Sequence, residues 1–209
     1  MIHRGKGVAC MFYPIGFTEY PNPSSAYMKV EVDGSAVLYT GSTDIGQGST
    51  TVMCQIASEV TGIPYHKIRM VCSDTLYTPY DTGSVASRVT YITGNAVKLA
   101  AEECRDMLFH AAAIMLNIAV GDVAKELRAG DDCIYLSGYE QACVSIAAAA
   151  HYSCLKLGKP VHGKGMFNPV TMTLDPKSGH GKPYGTHVFA AQIAIVDVDD
   201  ETGKFDIVK

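Results

Sequence analysis

The segment that most constrains the fold is Ala36–Cys72, which reads as strand, glycine-rich loop, helix and strand in unbroken succession. Ala36–Thr40 is β-like, and Gly41–Gly48 (GSTDIGQG) follows it. A helix over Ser49–Thr61 comes next, its buried stripe made of Val52, Met53, Ile56, Ala57 and Val60 at helical spacing. Gly62 is placed to end this helix, and Pro64 prevents its continuation. Ile68–Cys72 is a short strand. Ahead of the unit, Ala26–Val32 is a strand with Met28, Val30 and Val32 on one face and Lys29 and Glu31 on the other. Asp33-Gly34 accepts the positive φ angles of a tight hairpin to the next strand. Strands and helices mixed in this way predict an α/β (mixed α+β) architecture.

Further along, Ser73–Ala86 is a loop rich in Asp, Thr, Ser, Pro and Gly. A long helix is predicted from near Ser87 to about Ile118, with Val89, Ile92, Ala96, Val97, Ala100, Cys104, Leu108, Ala111 and Met115 as apolar positions. Gly94 inside it costs about 1 kcal/mol against Ala, which implies a close approach there. Cys133–Leu136 reads as a strand. Ser145 caps a helix to Leu157, which Gly158 and Pro160 end. Lys159–Gly185 reads as loop, Val188–Val198 as a long strand, Asp199–Gly203 as a turn and Lys204–Lys209 as the start of a return strand. The chain stops inside that strand. The expectation is one partial domain over residues 1–209, truncated at its C-terminus, with an unpaired edge through which the fragment self-associates.

Apolar residues make up 47% and charged residues 18% of the 209 residues, enough apolar content to build a core. The formal net charge of −4 gives no electrostatic reason to expect nucleic acid or an anionic membrane. The N-terminal MIHRGKGVACMFYPIG lacks an apolar stretch with a cleavage site, so no signal peptide is read. The apolar region Met107–Val120 is broken by His110 and Asn117 and is too short to span a bilayer. Seven cysteines, with no CxxC pair and an odd count, argue against a disulfide framework, a zinc ribbon or an iron–sulfur cluster held by this chain. Scattered free thiols fit a reducing cytoplasm.

Two stretches have the makings of a ligand site. In Asp44-Ile45-Gly46-Gln47-Gly48, glycines allow close backbone approach, and the helix start at Ser49 favours an anion. Gln47 between glycines can donate and accept. No Lys follows as a Walker A loop requires, and GxGxxG is absent. On spacing alone, a tight strand-to-helix turn without a ligand is the simpler reading. Asp81–Arg88 (DTGSVASR) repeats the pattern ahead of the long helix, where Ser87 alone reads as an N-cap and Arg88 alone as salt-bridged or solvated. The pairing of two such helix starts is what favours a ligand with several polar anchors. His162, His180 and His187 show no metal-ligand spacing and read as solvated loop residues, and no GxSxG elbow occurs. Asp44, Asp74 and Asp81 are carboxylates to which spacing assigns no acid–base pair.

Thr40–Pro64 (TGSTDIGQGSTTVMCQIASEVTGIP), Ser73–Val97 (SDTLYTPYDTGSVASRVTYITGNAV) and Tyr184–Ile207 (YGTHVFAAQIAIVDVDDETGKFDI) together resemble the molybdopterin-binding region of the xanthine dehydrogenase and aldehyde oxidase family. The resemblance is collinear and covers most of the chain. It implies a molybdenum-pterin cofactor (molybdopterin, in dinucleotide form in some members), with iron–sulfur clusters and flavin on partner subunits or domains. The implied reaction is hydroxylation of an aldehyde or N-heterocycle, a small-molecule substrate, with oxygen from water. It places Gln47, flanked by Gly46 and Gly48, beside the metal's oxo group, and Ser84, Val85, Ala86, Ser87 and Arg88 along the cofactor's phosphate and pterin parts. The family's glutamate base belongs to a later Gly-Glu motif, expected beyond residue 209, so this chain alone is expected to be inactive and free of cofactor. The implied partners are the remaining molybdenum-domain segments and the iron–sulfur and FAD subunits. The implied setting is cytoplasmic. A second reading is a non-catalytic binding or assembly module with the same fold and no cofactor.

Overall fold

The computed structural model describes residues 1–118 and 126–209. These divide into two compact units, Tyr20–Pro169 and a smaller one formed by Met1–Glu19 with Val170–Lys209.

The larger unit is built on a four-stranded mixed sheet. In chain order, β2 is Ser24–Val30, β3 is Ala36–Thr40, β4 is Ile68–Cys72 and β8 is His162–Phe167, and they lie in the order β4-β3-β2-β8. β2 and β3 pair antiparallel through the Asp33-Gly34 turn, with Gly34 at φ 83°. β3 and β4 run parallel, Ala36 opposite Ile68 and Thr40 opposite Cys72. The crossover between them is α1, Ser49–Thr61, ending where the sequence predicted, with Gly62 in the left-handed region. Met53 and Ala57 of its stripe are fully buried, while Val52, Ile56 and Val60 pack against the core from its rim.

The long helix begins differently from the prediction. Val89–Thr93 forms a π-helical turn, and regular α2 runs over Gly94–Met115. The close approach implied by Gly94 is to α1, since a Cβ there would lie 2.9 Å from the Ile56 terminal methyl. The last two residues of the apolar region Met107–Val120 lie outside the described residues. Ala96 and Ala100 are fully buried and small enough to let α2 sit low on the sheet. α3, Ile146–Leu155, packs on α2 and is capped as expected, Ser145 Oγ accepting from the Ala148 amide at 3.1 Å.

Lys159–Gly185 is not all loop. His162–Phe167 is the edge strand β8, and its glycines serve packing: a Cβ at Gly163 or Gly165 would collide with the α2 carbonyls of Ala100 and Ala96. Beside this core lies a small antiparallel meander of β5 Leu127–Gly130, β6 Cys133–Leu136 and β7 Tyr139–Ser145. Here the cysteine expectation needs correction. Cys133 and Cys143 are disulfide-bonded, their Cα atoms 5.9 Å apart, while Cys10, Cys54, Cys72, Cys104 and Cys154 are free. The pairing was hidden because it requires β7, whose residues are exposed except Val144 and so show no apolar alternation.

The smaller unit is a three-stranded antiparallel sheet in the order β1-β9-β10. β1, Ile2–Ile15, pairs along its whole length with β9, Thr186–Asp199, and β10, Phe205–Ile207, is the predicted return strand. Phe12 stacks on His187 at 4.2 Å, and Arg4 makes a two-pronged contact with Asp197 at 2.7 Å. No described helix is long and apolar enough to cross a membrane.

Candidate functional site

Because β3 and β4 are parallel, the chain leaves both at the same end of the sheet. The carboxyl end of parallel strands is where ligand-binding loops gather. The loop after β3 is Gly41–Gly48, and the loop after β4 carries Asp81–Arg88 into the π turn. They cross at Gly41, where a Cβ would lie 2.6 Å from the Pro79 carbonyl oxygen. They are then clipped together by Ser84, whose Oγ accepts from the Thr43 amide at 2.9 Å and donates to the Thr43 carbonyl. Ser73 Oγ adds a bond to Thr43 Oγ1 at 3.0 Å. The two stretches singled out from sequence are therefore adjacent, at hydrogen-bonding distance.

Asp44 organises the first loop. Its carboxylate accepts from the amides of Gly46 (2.8 Å), Gly48 (3.4 Å) and Thr50 (3.0 Å). The bond from Thr50, then that from Gly46, holds its carboxyl below the ordinary carboxylate value. The start of α1 favours an anion, and the anion there is the chain's own carboxylate. Gly48 is the N-cap residue with no side chain to offer, so Asp44 supplies the cap from four residues back. Gln47 is exposed and folds onto the same loop: its Oε1 accepts from the Ile45 amide at 2.6 Å, and its Nε2 donates to the Thr43 carbonyl and to Ser49 Oγ, each at 3.2 Å.

The second loop is anchored from beneath. Arg88 is 2% exposed and the Asp81 side chain fully buried, joined at 2.7 Å. Arg88 Nε donates to Asn22 Oδ1, Nη1 to Asp81 and the Gly83 carbonyl, and Nη2 to the Pro23 carbonyl and Ser24 Oγ. Each of the five guanidinium N–H groups thus has an acceptor inside the protein. The reading of Arg88 as a salt-bridged residue holds, and it has no N–H left for a phosphate. Above this anchor Val85 and Ala86 are exposed, and Ala86 takes a left-handed φ of 47°, unusual for a residue with a Cβ. Ser87 stands half-buried between them and Arg88.

Gly46, Gln47, Val85 and Ala86 form an exposed strip, with the half-buried Gly48 and Gly83 beside them. A Cβ at any of these three glycines would meet no protein atom within 4 Å. Asn22, Ser24, Thr43 and Thr93 complete the constellation. Sequence reasoning passed over them because each is a small polar residue in a turn, strand or helix, with no spacing rule linking it to Arg88. The cavity of about 440 Å³ between Tyr27, Tyr39, Tyr77 and Lys164 holds none of the predicted site residues. Among the described residues no cluster of three metal-ligating side chains occurs, and His162 sits in β8 bonded to the Pro160 carbonyl.

A family model described as the molybdopterin cofactor-binding domain matches residues 1–209. A probable hypoxanthine oxidase of Escherichia coli (strain K12) is 35% identical over 121 residues, which is 58% of this chain and 13% of that protein. The carbon monoxide dehydrogenase large chain of Hydrogenophaga pseudoflava is 28% identical over 208 residues, 98% of this chain and 23% of its own. The solved structure of CO dehydrogenase from Oligotropha carboxidovorans superposes on all of this chain and 25% of its own, with a TM-score of 0.79 at 23% identity, a likeness of fold. The chain spans between 13% and 25% of the length of these relatives.

Proposed function

The chain belongs to the molybdopterin cofactor-binding domain family, and on that premise we propose that it contributes two cofactor-contacting loops to a molybdenum hydroxylase of the xanthine dehydrogenase and aldehyde oxidase type. The observation that carries this reading is the clipping of Thr43 to Ser84, which merges the GQG loop and the Ser84–Arg88 loop into one surface. When bound, the cofactor would accept the electron pair in hydroxylation of an aldehyde or N-heterocycle by water.

The chain's own residues have separable tasks in this proposal. Gly46 and Gly48 keep the approach to their backbones free of side chains. Gln47 offers the amide nearest the reacting end. Its present partners are its own loop and Ser49 at the start of α1, and turning toward the cofactor requires it to release the Ile45 amide, or the Thr43 carbonyl and Ser49 Oγ. Ser84 holds the two loops together, Val85 and Ala86 present a small apolar wall, and Ser87 joins that wall to the helix start. Arg88 serves from behind, as an anchor rather than a phosphate ligand. The general base, the substrate pocket, the iron–sulfur and FAD partners and the cytoplasmic setting belong to the whole enzyme in this proposal. The isolated chain would lack enough of the cofactor's surroundings to retain it.

Metal and pterin analysis of the holoenzyme containing this chain tests the reading. Molybdenum and oxidised-pterin fluorescence in proportion to the polypeptide support it. A purified, folded native complex with neither is what a cofactor-free assembly module would give, and it overturns the proposal.

A further inference from the structure

We infer that Asp81 and Arg88 are a positioning pair that sets the shape of both cofactor-facing loops, an inference that rests on the function proposed above. The pair is buried, and a buried ion pair is a poor source of stability, since apolar groups of similar volume do as well. What it specifies is geometry. Each Asp81 oxygen has two donors: Oδ1 takes Arg88 Nη1 and the Gly83 amide, and Oδ2 takes Ser24 Oγ and Thr93 Oγ1. Arg88 and Thr93 are five residues apart. The π turn over Val89–Thr93 has that same i to i+5 spacing, so it turns both side chains toward one carboxylate. A regular α-helical turn would splay them.

Asn22 shows that this arrangement is held at a cost. Its Nδ2 is buried without a partner among the described residues, while its Oδ1 receives Arg88 Nε. The result is a loop closed at its base, Asp81 to Arg88, whose exposed crown includes the left-handed Ala86. From that crown the constraint passes across the site. Ser84 donates to the Thr43 carbonyl, and Gln47 Nε2 donates to the same oxygen. Asp81 and Arg88 hold the amide and carbonyl of Gly83, the peptide link leads to Ser84, and hydrogen bonds run on through Thr43 to Gln47, one chain of covalent and hydrogen bonds from the buried anchor to the proposed cofactor-facing amide.

The test compares Arg88→Lys and Ser84→Ala in the holoenzyme, using amide hydrogen exchange, bound molybdenum per polypeptide and steady-state kinetics. Lysine keeps the charge but has three donors in place of five. Exchange at residues 83–87 and 43–47 should rise at least tenfold in Arg88→Lys while the α2 interior is unchanged, and bound molybdenum should fall several-fold. In the molecules that keep the cofactor, kcat should fall more than KM changes. If Arg88→Lys does not fold, Ser84→Ala decides, because its half-buried hydroxyl can be lost without exposing the core. Faster exchange confined to residues 43–47 and 83–87 supports the chain of bonds. Unchanged exchange in these loops overturns the inference, as does a rise spread equally through α2. Localised loosening with full cofactor occupancy and unchanged kcat overturns the positioning role. Exchange is read with or without the cofactor, so a holoenzyme lacking molybdenum refutes the proposed function and leaves the bond chain to be judged on exchange alone.

Discussion

A single methyl group placed on either side of α2 separates the two kinds of contact that hold the site's scaffold. At Gly165 a Cβ would lie 2.7 Å from the Ala100 amide nitrogen and closer still to the Ala96 carbonyl. Both obstacles are helix backbone, which cannot rotate away, so β8 and α2 must separate by roughly 1 Å and lose interlocking along the strand. Gly165→Ala should therefore cost about 3 kcal/mol. At Gly94 the obstacle is the terminal methyl of Ile56 at 2.9 Å, the far end of a flexible side chain. Alanine there gains about 1 kcal/mol of helix propensity, which offsets the repacking. Gly94→Ala should fall within about 1 kcal/mol of the parent. Urea unfolding reads the difference, with Gly165→Ala shifting the midpoint down by about 1 M or more. Equal midpoints for Gly165→Ala and the parent, or an equal loss at Gly94, would refute the reasoning that α2 lies directly on β8.

Three further outcomes follow from the site and the core. In the holoenzyme, Gln47→Ala should reduce turnover about tenfold, the worth of one hydrogen bond to a charged group, without altering the fold by circular dichroism. Unchanged turnover would remove Gln47 from the reacting end. The Asp44 carboxyl is held below its ordinary value by hydrogen bonds from Thr50, Gly46 and Gly48, so its capping is fully present above the unfolded value and is lost as pH falls through the folded one. The Thr50 amide NMR shift should titrate in that acid range and stay flat in Asp44→Asn. Burial pushes the Cys104 thiol up to about 12, so at pH 8 iodoacetamide should label exposed Cys10 and spare Cys104 until the protein is unfolded, as peptide mass mapping will show.

The crossover from Ala36 to Cys72 was legible because each of its signals is local: a period-3.6 stripe, a terminating glycine and short apolar strands. The Gly163–Gly165 strand was not legible, since its glycines answer to α2, more than sixty residues away. β1 was missed for a related reason. Thirteen of its fourteen positions are at least partly exposed, so no alternation of apolar and polar residues marks it. In the site, the adjacency of the two loops followed from their motifs. The roles of Asp44 and Arg88 did not, because sequence shows a helix start and an arginine but not which internal partners satisfy them. The expectation of free helix-start amides failed at α1 on that ground. The disulfide escaped because pairing depends on strand register, and counting cysteines carries no register.

The most direct test of the central claim is an experimental structure of the holoenzyme containing this chain, with its cofactor bound. The cofactor should lie against the Gly46–Gly48 and Ser84–Ser87 backbones, with the Gln47 amide turned to its reacting end and Arg88 still buried against Asp81. A cofactor seated on other segments, with Gln47 still bonded only to Ile45, Thr43 and Ser49, would contradict that claim.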